Sequence, residues 1–164
     1  MKHLMLFRHG KSSWDHPGLS DIDRPLLSKG EQRTRKVAGH MKEKLGITSG
    51  LIVTSHAKRA FQTASIVAGI LGIQGKAFLT EQNLYHASVD RIWDVIIALP
   101  DDIDRVMLFG HNPGFTEFVN QAGIASIDWL PTSGVASAVF KCDHWHECPL
   151  ARPEDSFILL PSKI

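Results

Sequence analysis

Short apolar runs alternate with segments of helical spacing from the N-terminus to about residue 123. We assign strands to residues 3–7, 51–54, 77–79 and 105–109. These runs are short and nearly continuous, which is typical of strands covered on both faces. A chain that alternates strands with helices in this way forms a mainly parallel sheet with helices packed on it.

Four helical segments fill the connections between these strands. The first is expected to begin with a capping box formed by Ser28 and Glu31. The second ends at Gly72, a residue suited to a helix C-terminus, and the third and fourth begin at Ser88 and Pro113. The residues expected on their packed faces are, in order, Val37, Met41 and Leu45; Phe61, Ala64, Val67, Ala68 and Leu71; Ile92, Val95, Ile96 and Leu99; and Phe115, Phe118, Val119 and Ala122.

The C-terminal part of the chain has a different pattern. Residues 134–141 and 156–160 are strand-like, with no helical spacing between them, which predicts a terminal β-hairpin. No repeat or linker-like stretch divides the chain. We therefore predict a single domain over residues 1–164, a three-layer α/β/α sandwich with a mainly parallel central sheet and a C-terminal β-hairpin.

Charge and hydropathy argue against several classes of protein. The 18 Lys and Arg residues balance 17 Asp and Glu residues, for a net charge of +1, so a nucleic-acid partner is not expected. No run approaches the roughly 18 apolar residues of a membrane helix, and the N-terminal run is too short for a secretory signal. We expect a cytoplasmic protein without a membrane partner. The sequence is silent on its oligomeric state.

Histidine and arginine residues directly follow the predicted strands. Because the carboxyl ends of parallel strands lie at one edge of a sheet, these side chains should lie together around the mouth of one cavity at that edge. They are Arg8, His9 and Ser12 after the first strand, His56, Lys58 and Arg59 after the second, Glu81 after the third, and His111 and Asn112 after the fourth.

Two arginines at that edge indicate a site for an oxyanion. A guanidinium keeps its proton, and its planar fork matches carboxylate or phosphate oxygens. A helix that starts at Pro113 would add backbone N–H groups and the positive end of its dipole. A histidine beside a bound phosphoryl group is suited to act as a nucleophile toward phosphorus.

A metal site is the competing interpretation of the same residues. Its ligands would be the histidines His9, His56, His86 and His111. Two guanidinium groups would repel a divalent cation, and no carboxylate closely follows the first, second or fourth strand to offset them. We therefore favour the oxyanion site.

Three separated motifs point to a known family. They are Arg8-His9-Gly10, Ser55-His56-Ala57-Lys58-Arg59-Ala60-Phe61-Gln62-Thr63 and Gly110-His111-Asn112-Pro113. In this order they resemble the histidine phosphatase superfamily, also called the phosphoglycerate-mutase-like fold. The segment Asp21–Leu26 and the pair Leu84-Tyr85 resemble its compact branch, which includes the phosphohistidine phosphatase SixA. The resemblance covers roughly residues 3–161.

The resemblance implies a phosphatase that needs neither metal nor cofactor. His9 would attack phosphorus and become transiently phosphorylated, and water would then hydrolyse the phosphohistidine. Arg8 and Arg59 would hold the phosphoryl oxygens, and His111 would stabilise the transferring group from the other side.

Four further residues are candidates for lesser roles. Ser12 and Asn112 are possible donors to phosphate, and Arg24 is expected to fix the loop before the first helix through an ion pair. Glu81 is the only carboxylate after the third strand and a candidate substrate contact.

Departures from the family bear on the substrate. Its mutases have Glu and Asn where Lys11 and Asp15 stand here, and they carry an acidic glutamate on a longer insertion after the third strand. A general acid accelerates departure of an alcohol by ~10²- to 10⁴-fold, whereas imidazole leaves more readily. The shortage of acids favours phosphohistidine in another protein. A small-molecule phosphomonoesterase with the same site, or a non-catalytic phosphate-binding module, remains an alternative.

A cluster near the C-terminus contains possible zinc ligands: Cys142, His144, His146 and Cys148. Typical structural zinc sites separate two close pairs of ligands by a dozen or more residues, which this cluster does not. We expect a surface turn that includes Trp145, although the sequence does not decide whether the four residues bind metal.

Overall fold

The computed structural model describes residues 1–164 and contains one six-stranded sheet with the order β3-β2-β4-β1-β5-β6. The strands are β1 (Lys2–Arg8), β2 (Leu51–Thr54), β3 (Phe78–Thr80), β4 (Arg105–Gly110), β5 (Val135–Phe140) and β6 (Asp155–Leu159). The first four strands are mutually parallel, while β5 runs antiparallel to β1 and β6 antiparallel to β5. The mainly parallel sheet and the C-terminal pair of antiparallel strands are confirmed.

Four α-helices cover the two faces of this sheet: α1 (Ser28–Glu43), α2 (Lys58–Leu71), α3 (Val89–Ile97) and α4 (Gly114–Gln121). Along β1, Leu4 and Leu6 pack in the same core as α3 and α4, whereas Met5 and Phe7 pack in the core formed with α1 and α2. Successive side chains of a strand point to opposite faces, so a continuous apolar run serves both cores. The expected three-layer arrangement is confirmed.

The structure differs from the sequence-based expectations at several element ends. The residue before α1 is Leu27, which forms no side-chain cap, so the capping box at Ser28 and Glu31 is not formed. Ser88 does cap α3, since its hydroxyl accepts a hydrogen bond from the backbone N–H of Arg91. Gly72 ends α2 in the left-handed conformation, with φ of 78°.

Three apolar residues predicted to be covered are more exposed than expected. Phe61 is 43% exposed because it lies at the edge of α2, where its ring meets Phe78. Leu45 follows the last residue of α1 and is 41% exposed, and Leu79 is exposed because β3 is an edge strand. None of the helices is both long and apolar enough to cross a membrane.

Candidate active site

The loops that leave the parallel strands converge on a cavity of about 480 Å³ at the carboxyl edge of the sheet. Eight of the residues named as candidates from the sequence line it: Arg8, His9, Ser12, Arg24, Arg59, His86, His111 and Asn112. The rings of His9 and His111 lie with centroids 5.2 Å apart. A cavity of about 550 Å³ near the opposite edge is lined mainly by residues such as His3, Lys76 and Arg105 and contains no buried histidine.

His9 is held as a neutral imidazole in which one ring nitrogen carries no proton. Its Nδ1 lies 2.7 Å from the carbonyl oxygen of Gly10, and because a carbonyl can only accept, Nδ1 carries the proton. Nε2 therefore has a lone pair, which faces Nε of Arg59 at 3.4 Å. Burial lowers the pKa of His9 to about 3, and the nearby charges of Arg59 and Arg8 add to this, while the bond to Gly10 opposes it. His9 is thus unprotonated at neutral pH, as a nucleophile must be.

Arg59 lies in the first turn of α2 and is 3% exposed. Its two terminal nitrogens donate to Asp21, one to the backbone carbonyl at 2.6 Å and one to Oδ2 at 3.0 Å. A two-point contact of this kind fixes the plane of a guanidinium. Asp21 therefore positions Arg59 beside the nucleophile.

Asp21 is the main residue that the sequence analysis missed. It lies in the connection between β1 and α1, and its carboxylate also accepts from Arg24 and from the hydroxyl of Tyr85. Burial raises the pKa of Asp21, but the hydrogen bonds from Tyr85 and Arg59 and the charges of Arg59 and Arg24 outweigh this and hold it well below the usual range. The site does contain a carboxylate, contrary to our expectation, because a long connection folds back over the mouth.

Arg8 ends β1 on the other side of the cavity. One terminal nitrogen donates to the carbonyl of Leu130 at 3.0 Å, and its Nε is buried without a partner. Burial, followed by the charge of Arg59, lowers its pKa, but a guanidinium remains charged in a protein. Arg8 has no carboxylate partner, so its charge is available to an anion.

His111 follows β4 and is 3% exposed. Its Nε2 lies 2.8 Å from the hydroxyl oxygen of Ser55. That oxygen accepts a hydrogen bond from the backbone N–H of Ala57, so its own proton is available to Nε2. Nδ1 is buried without a partner. Burial lowers the pKa of His111 to about 2, and the neighbouring His9 and Arg59 contribute further, so this ring is also neutral at physiological pH.

Two glycines explain why the first motif and α1 come so close together. A Cβ at Gly30 would lie 2.3 Å from the carbonyl oxygen of Lys11, and one at Gly10 would lie 3.0 Å from Oγ1 of Thr34. The first contact would require the backbone of the loop to move, and the second is tight enough that Thr34 would have to shift. The absence of a Cβ at these positions lets the N-terminal part of α1 press directly on the loop that carries His9.

The remaining candidates have varied positions. Ser12 is buried at the cavity wall. Asn112 also lines it, but its amide donates to Leu130 and accepts from Thr116, so it connects two loops. Arg24 forms the expected ion pair, with Asp21 as its partner. Glu81 does not join the site, because its carboxylate accepts from the backbone N–H of Asn83 and faces a different cavity.

Two of the backbone N–H groups expected to be free at the start of α4 are bonded within the protein. The backbone N–H of Phe115 donates to the carbonyl of His111, and that of Thr116 donates to the side chain of Asn112, both at 3.1 Å. These two groups are therefore not available to an anion. His56 and Lys58 do not line the cavity either.

Comparison with known proteins supports the same assignment. The sequence pattern of the histidine phosphatase superfamily (branch 1) matches residues 4–105, more than half of the chain. The chain belongs to this superfamily. It is 31% identical over 154 residues to an uncharacterized chloroplastic protein of Arabidopsis thaliana, covering 89% of this chain and 70% of the relative.

Solved structures of the superfamily place the chain near SixA. A structure described as the putative phosphohistidine phosphatase SixA from Agrobacterium tumefaciens has a TM-score of 0.75 and 26% identity, and the match covers 95% of this chain and 97% of that one. The protein histidine phosphatase SixA complexed with tungstate has a TM-score of 0.81 and 21% identity, with 98% and 97% coverage. The chain is thus a SixA-like phosphatase of the histidine phosphatase superfamily.

The zinc-type cluster of this phosphatase lies away from the cavity. Sγ of Cys142 lies 3.0 Å from Sγ of Cys148, while Nδ1 of His144 contacts Oδ2 of Asp101 at 2.9 Å. Trp145, which was expected in a surface turn, is fully buried. No group of three or more His, Cys, Asp and Glu side chains in the structure is arranged to hold a metal ion.

Proposed function

We propose that this phosphatase, a single catalytic domain over residues 1–164, needs no metal and removes phosphate from phosphohistidine in other proteins, with His9 as its nucleophile. The state of His9 carries the proposal. Its Nδ1 is bonded to Gly10, and its unprotonated Nε2 lies beside the guanidinium of Arg59. A neutral imidazole between two cationic side chains is suited to attack a phosphoryl group that those side chains bind.

The reaction follows in two displacements. In the first, the lone pair of His9 Nε2 forms a bond to phosphorus, and the bond from phosphorus to the leaving nitrogen breaks. The leaving imidazole keeps that electron pair and is neutral because its other ring nitrogen carries a proton. In the second, water attacks phosphorus and gives up a proton to solvent, the bond to His9 breaks with its electron pair returning to Nε2, and inorganic phosphate is released.

Arg8, Arg59 and His111 would stabilise the phosphoryl oxygens during both steps. Charge spreads over these oxygens in the transition state, so fixed positive groups provide most of the catalysis. Arg59 is already fixed by Asp21, and Arg8 and His111 each have a buried nitrogen without a partner. With the hydroxyl of Ser55 donating to Nε2 of His111, Nδ1 of that ring carries the proton, and a bound phosphoryl group would supply an acceptor for it and for Nε of Arg8.

The rim of the cavity supports a protein substrate. Trp14 is 79% exposed and lies over the guanidinium of Arg24 at 3.5 Å, and Trp129 is 54% exposed and lies over that of Arg8 at 5.5 Å. Exposed tryptophans beside arginines are typical of surfaces that contact other proteins. A phosphoryl group on a protruding histidine could reach His9 between them.

A direct comparison of substrates tests this proposal. The phosphatase would be offered a phosphotransfer domain that carries phosphohistidine and, separately, a panel of phosphorylated metabolites, with a metal chelator present throughout. We expect kcat/KM to be highest for the protein. Acid-labile phosphate should be found on His9 after rapid quenching, and His9→Asn should abolish both signals.

The matched control is His146→Asn, since His146 is an exposed histidine remote from the cavity. It should keep full activity. Much faster turnover of metabolites would overturn the protein substrate, and loss of activity with the chelator would overturn the metal-independent mechanism.

A further inference from the structure

We propose that His86 is the proton donor to the leaving group at this site, and that it extends the reaction to phosphate monoesters of alcohols. The inference rests on the proposed function, with His9 as the nucleophile. It assigns a role to a side chain that lines the cavity and that the mechanism above does not use.

The position of His86 is that of a residue that meets the leaving group. Its ring lines the same cavity as His9, with its centroid 5.8 Å from that of His111. His9 and His111 are 7% and 3% exposed at the base of the cavity, whereas the side chain of His86 is 57% exposed at the mouth. In an in-line displacement the leaving group departs opposite the nucleophile, which here is toward the mouth.

Asp21 prepares His86 for proton transfer. Its Oδ2 lies 3.3 Å from Nε2 of His86, which leaves Nδ1 as the nitrogen that exchanges a proton with a substrate. A carboxylate bonded to one imidazole nitrogen fixes the ring and stabilises its protonated form. Tyr85 packs against the same ring with centroids 4.1 Å apart and the ring planes tilted by 46°, so the ring is held on two sides.

The other groups that face His86 are unsuited to donate a proton. Burial lowers the pKa of His9 to about 3 and that of His111 to about 2, so both are already unprotonated at neutral pH. The pKa of Asp21 lies well below its usual range, and the hydroxyl of Tyr85 already donates a hydrogen bond to Asp21. Imidazole is the side chain that ordinarily exchanges a proton near neutral pH.

The backbone at this position gives an independent indication. His86 has φ of 51°, in the left-handed region that glycine and asparagine adopt more readily than other residues. The exposed ring contributes little burial that would offset the strain. Strain retained at the rim of a catalytic cavity points to a role in function.

The chemical step balances as follows. His9 Nε2 bonds to phosphorus, the bond from phosphorus to the alcohol oxygen breaks, and that oxygen takes the proton from His86 Nδ1. In the second displacement His86 Nδ1 accepts a proton from the attacking water, whose oxygen bonds to phosphorus as the bond to His9 breaks. His86 returns to its protonated state, and phosphate leaves.

Leaving-group dependence separates this role from the others. A phosphohistidine substrate brings a proton on its second ring nitrogen, and p-nitrophenolate is stable without one, but an alkoxide is not. The variant of choice is His86→Asn, because asparagine suits the left-handed backbone and removes the acid. His146→Asn is again the matched surface control.

Wild type and both variants would be assayed on p-nitrophenyl, phenyl and benzyl phosphate. For His86→Asn we expect kcat/KM to fall by ~10²- to 10⁴-fold with benzyl phosphate and by less than about tenfold with p-nitrophenyl phosphate. The melting temperature of His86→Asn should be unchanged or higher, since backbone strain is relieved.

Three outcomes would overturn the inference: equal losses on all three esters, no loss on benzyl phosphate, or a wild type that hydrolyses p-nitrophenyl phosphate but no alkyl ester. The first would show a positioning role only. Absence of turnover with every ester and of phosphate on His9 would instead overturn the proposed function, and the inference with it.

Discussion

Strand β1 carries a positively charged residue at each end, and the two are used differently. At its start, Lys2 is 1% exposed and donates to the carbonyls of Asp101 and Ile103 and to the carboxylate of Asp104. At its end, Arg8 donates to one carbonyl and keeps a buried nitrogen without a partner. Both charges are partly removed from water, but only Lys2 has acceptors for all three of its protons.

The comparison distinguishes a structural cation from a functional one. A buried charge is tolerated where hydrogen bonds offset its lost hydration, as they do for Lys2. Arg8 lies near a second guanidinium, Arg59, and does not have the hydrogen bonds that offset the lost hydration of Lys2. An anion bound beside Arg8 would therefore be stabilised by its charge. The charge is the same at the two ends, and the two residues differ in how many acceptors the protein itself supplies.

The largest effect is expected from Arg8→Met. This change removes a contact to the phosphoryl oxygens, so kcat/KM should fall by ~10²- to 10³-fold. Stability should be unchanged or higher, because the repulsion between Arg8 and Arg59 is relieved. Steady-state kinetics with p-nitrophenyl phosphate and urea unfolding measure the two effects. A variant that unfolds more easily would contradict the functional assignment of Arg8.

The next effect is expected from Lys2→Met, the same kind of change at the other end of β1. It leaves two carbonyls and one carboxylate without their donor, so the free energy of unfolding should fall by about 1–3 kcal/mol. Turnover should stay within about twofold of wild type in the conditions where the variant is folded. If Lys2→Met lost activity without losing stability, the two ends of the strand would not differ as we describe.

A pH-dependent effect follows from the neutral histidines at the base of the cavity, His9 and His111. Their pKa values are lowered from 6.5 to about 3 for His9 and about 2 for His111, so between pH 6.5 and 3 the unfolded chain binds protons that the folded chain does not. Stability is therefore lost as the pH falls through this window, by up to about 1.4 kcal/mol per pH unit for each group.

Urea unfolding at pH 7 and pH 5 would measure this loss, and His111→Gln should reduce it. His146→Gln, a change at an exposed histidine, is the matched control and should not. An equal pH dependence in both variants would show that His111 is not held neutral by the fold.

The smallest effect is expected from Trp129→Ala, which removes the ring over Arg8. The same exposed ring is proposed to contact a protein substrate, and loss of a contact of about 0.5–1 kcal/mol would raise KM for a phosphohistidine protein by roughly two- to fivefold. Turnover of p-nitrophenyl phosphate should not change. An equal effect on both substrates would assign Trp129 to the position of Arg8 rather than to the substrate.

The sequence predicted the layers and the mouth because both depend on local rules. The short apolar runs predicted the positions of the strands. Because the carboxyl ends of parallel strands lie at one edge of a sheet, the residues that follow them were predicted to lie together, among them Arg8, His9, Arg59 and His111. Asp21 was missed because its position depends on a long irregular connection and on the partners Arg59 and Tyr85, neither of which is near it in sequence.

The same limitation explains the smaller errors. Glu81 was proposed from its place after a strand, but its carboxylate turns back to its own loop. Phe61 has the helical spacing of a core residue, but it packs beside β3, the edge strand of the sheet, and its ring is only partly covered. Spacing gives the direction of a side chain but not the extent of the neighbouring layer.

The two exposed tryptophans lie in connecting segments, whereas His9 and His111 directly follow buried strands. Surface connections accept replacement and insertion far better than the strands that they join. Substrate specificity should therefore be transferable between relatives of this phosphatase. Exchange of the segments around Trp14 and Trp129 would change which substrate is preferred and leave the catalytic residues of the recipient protein unchanged.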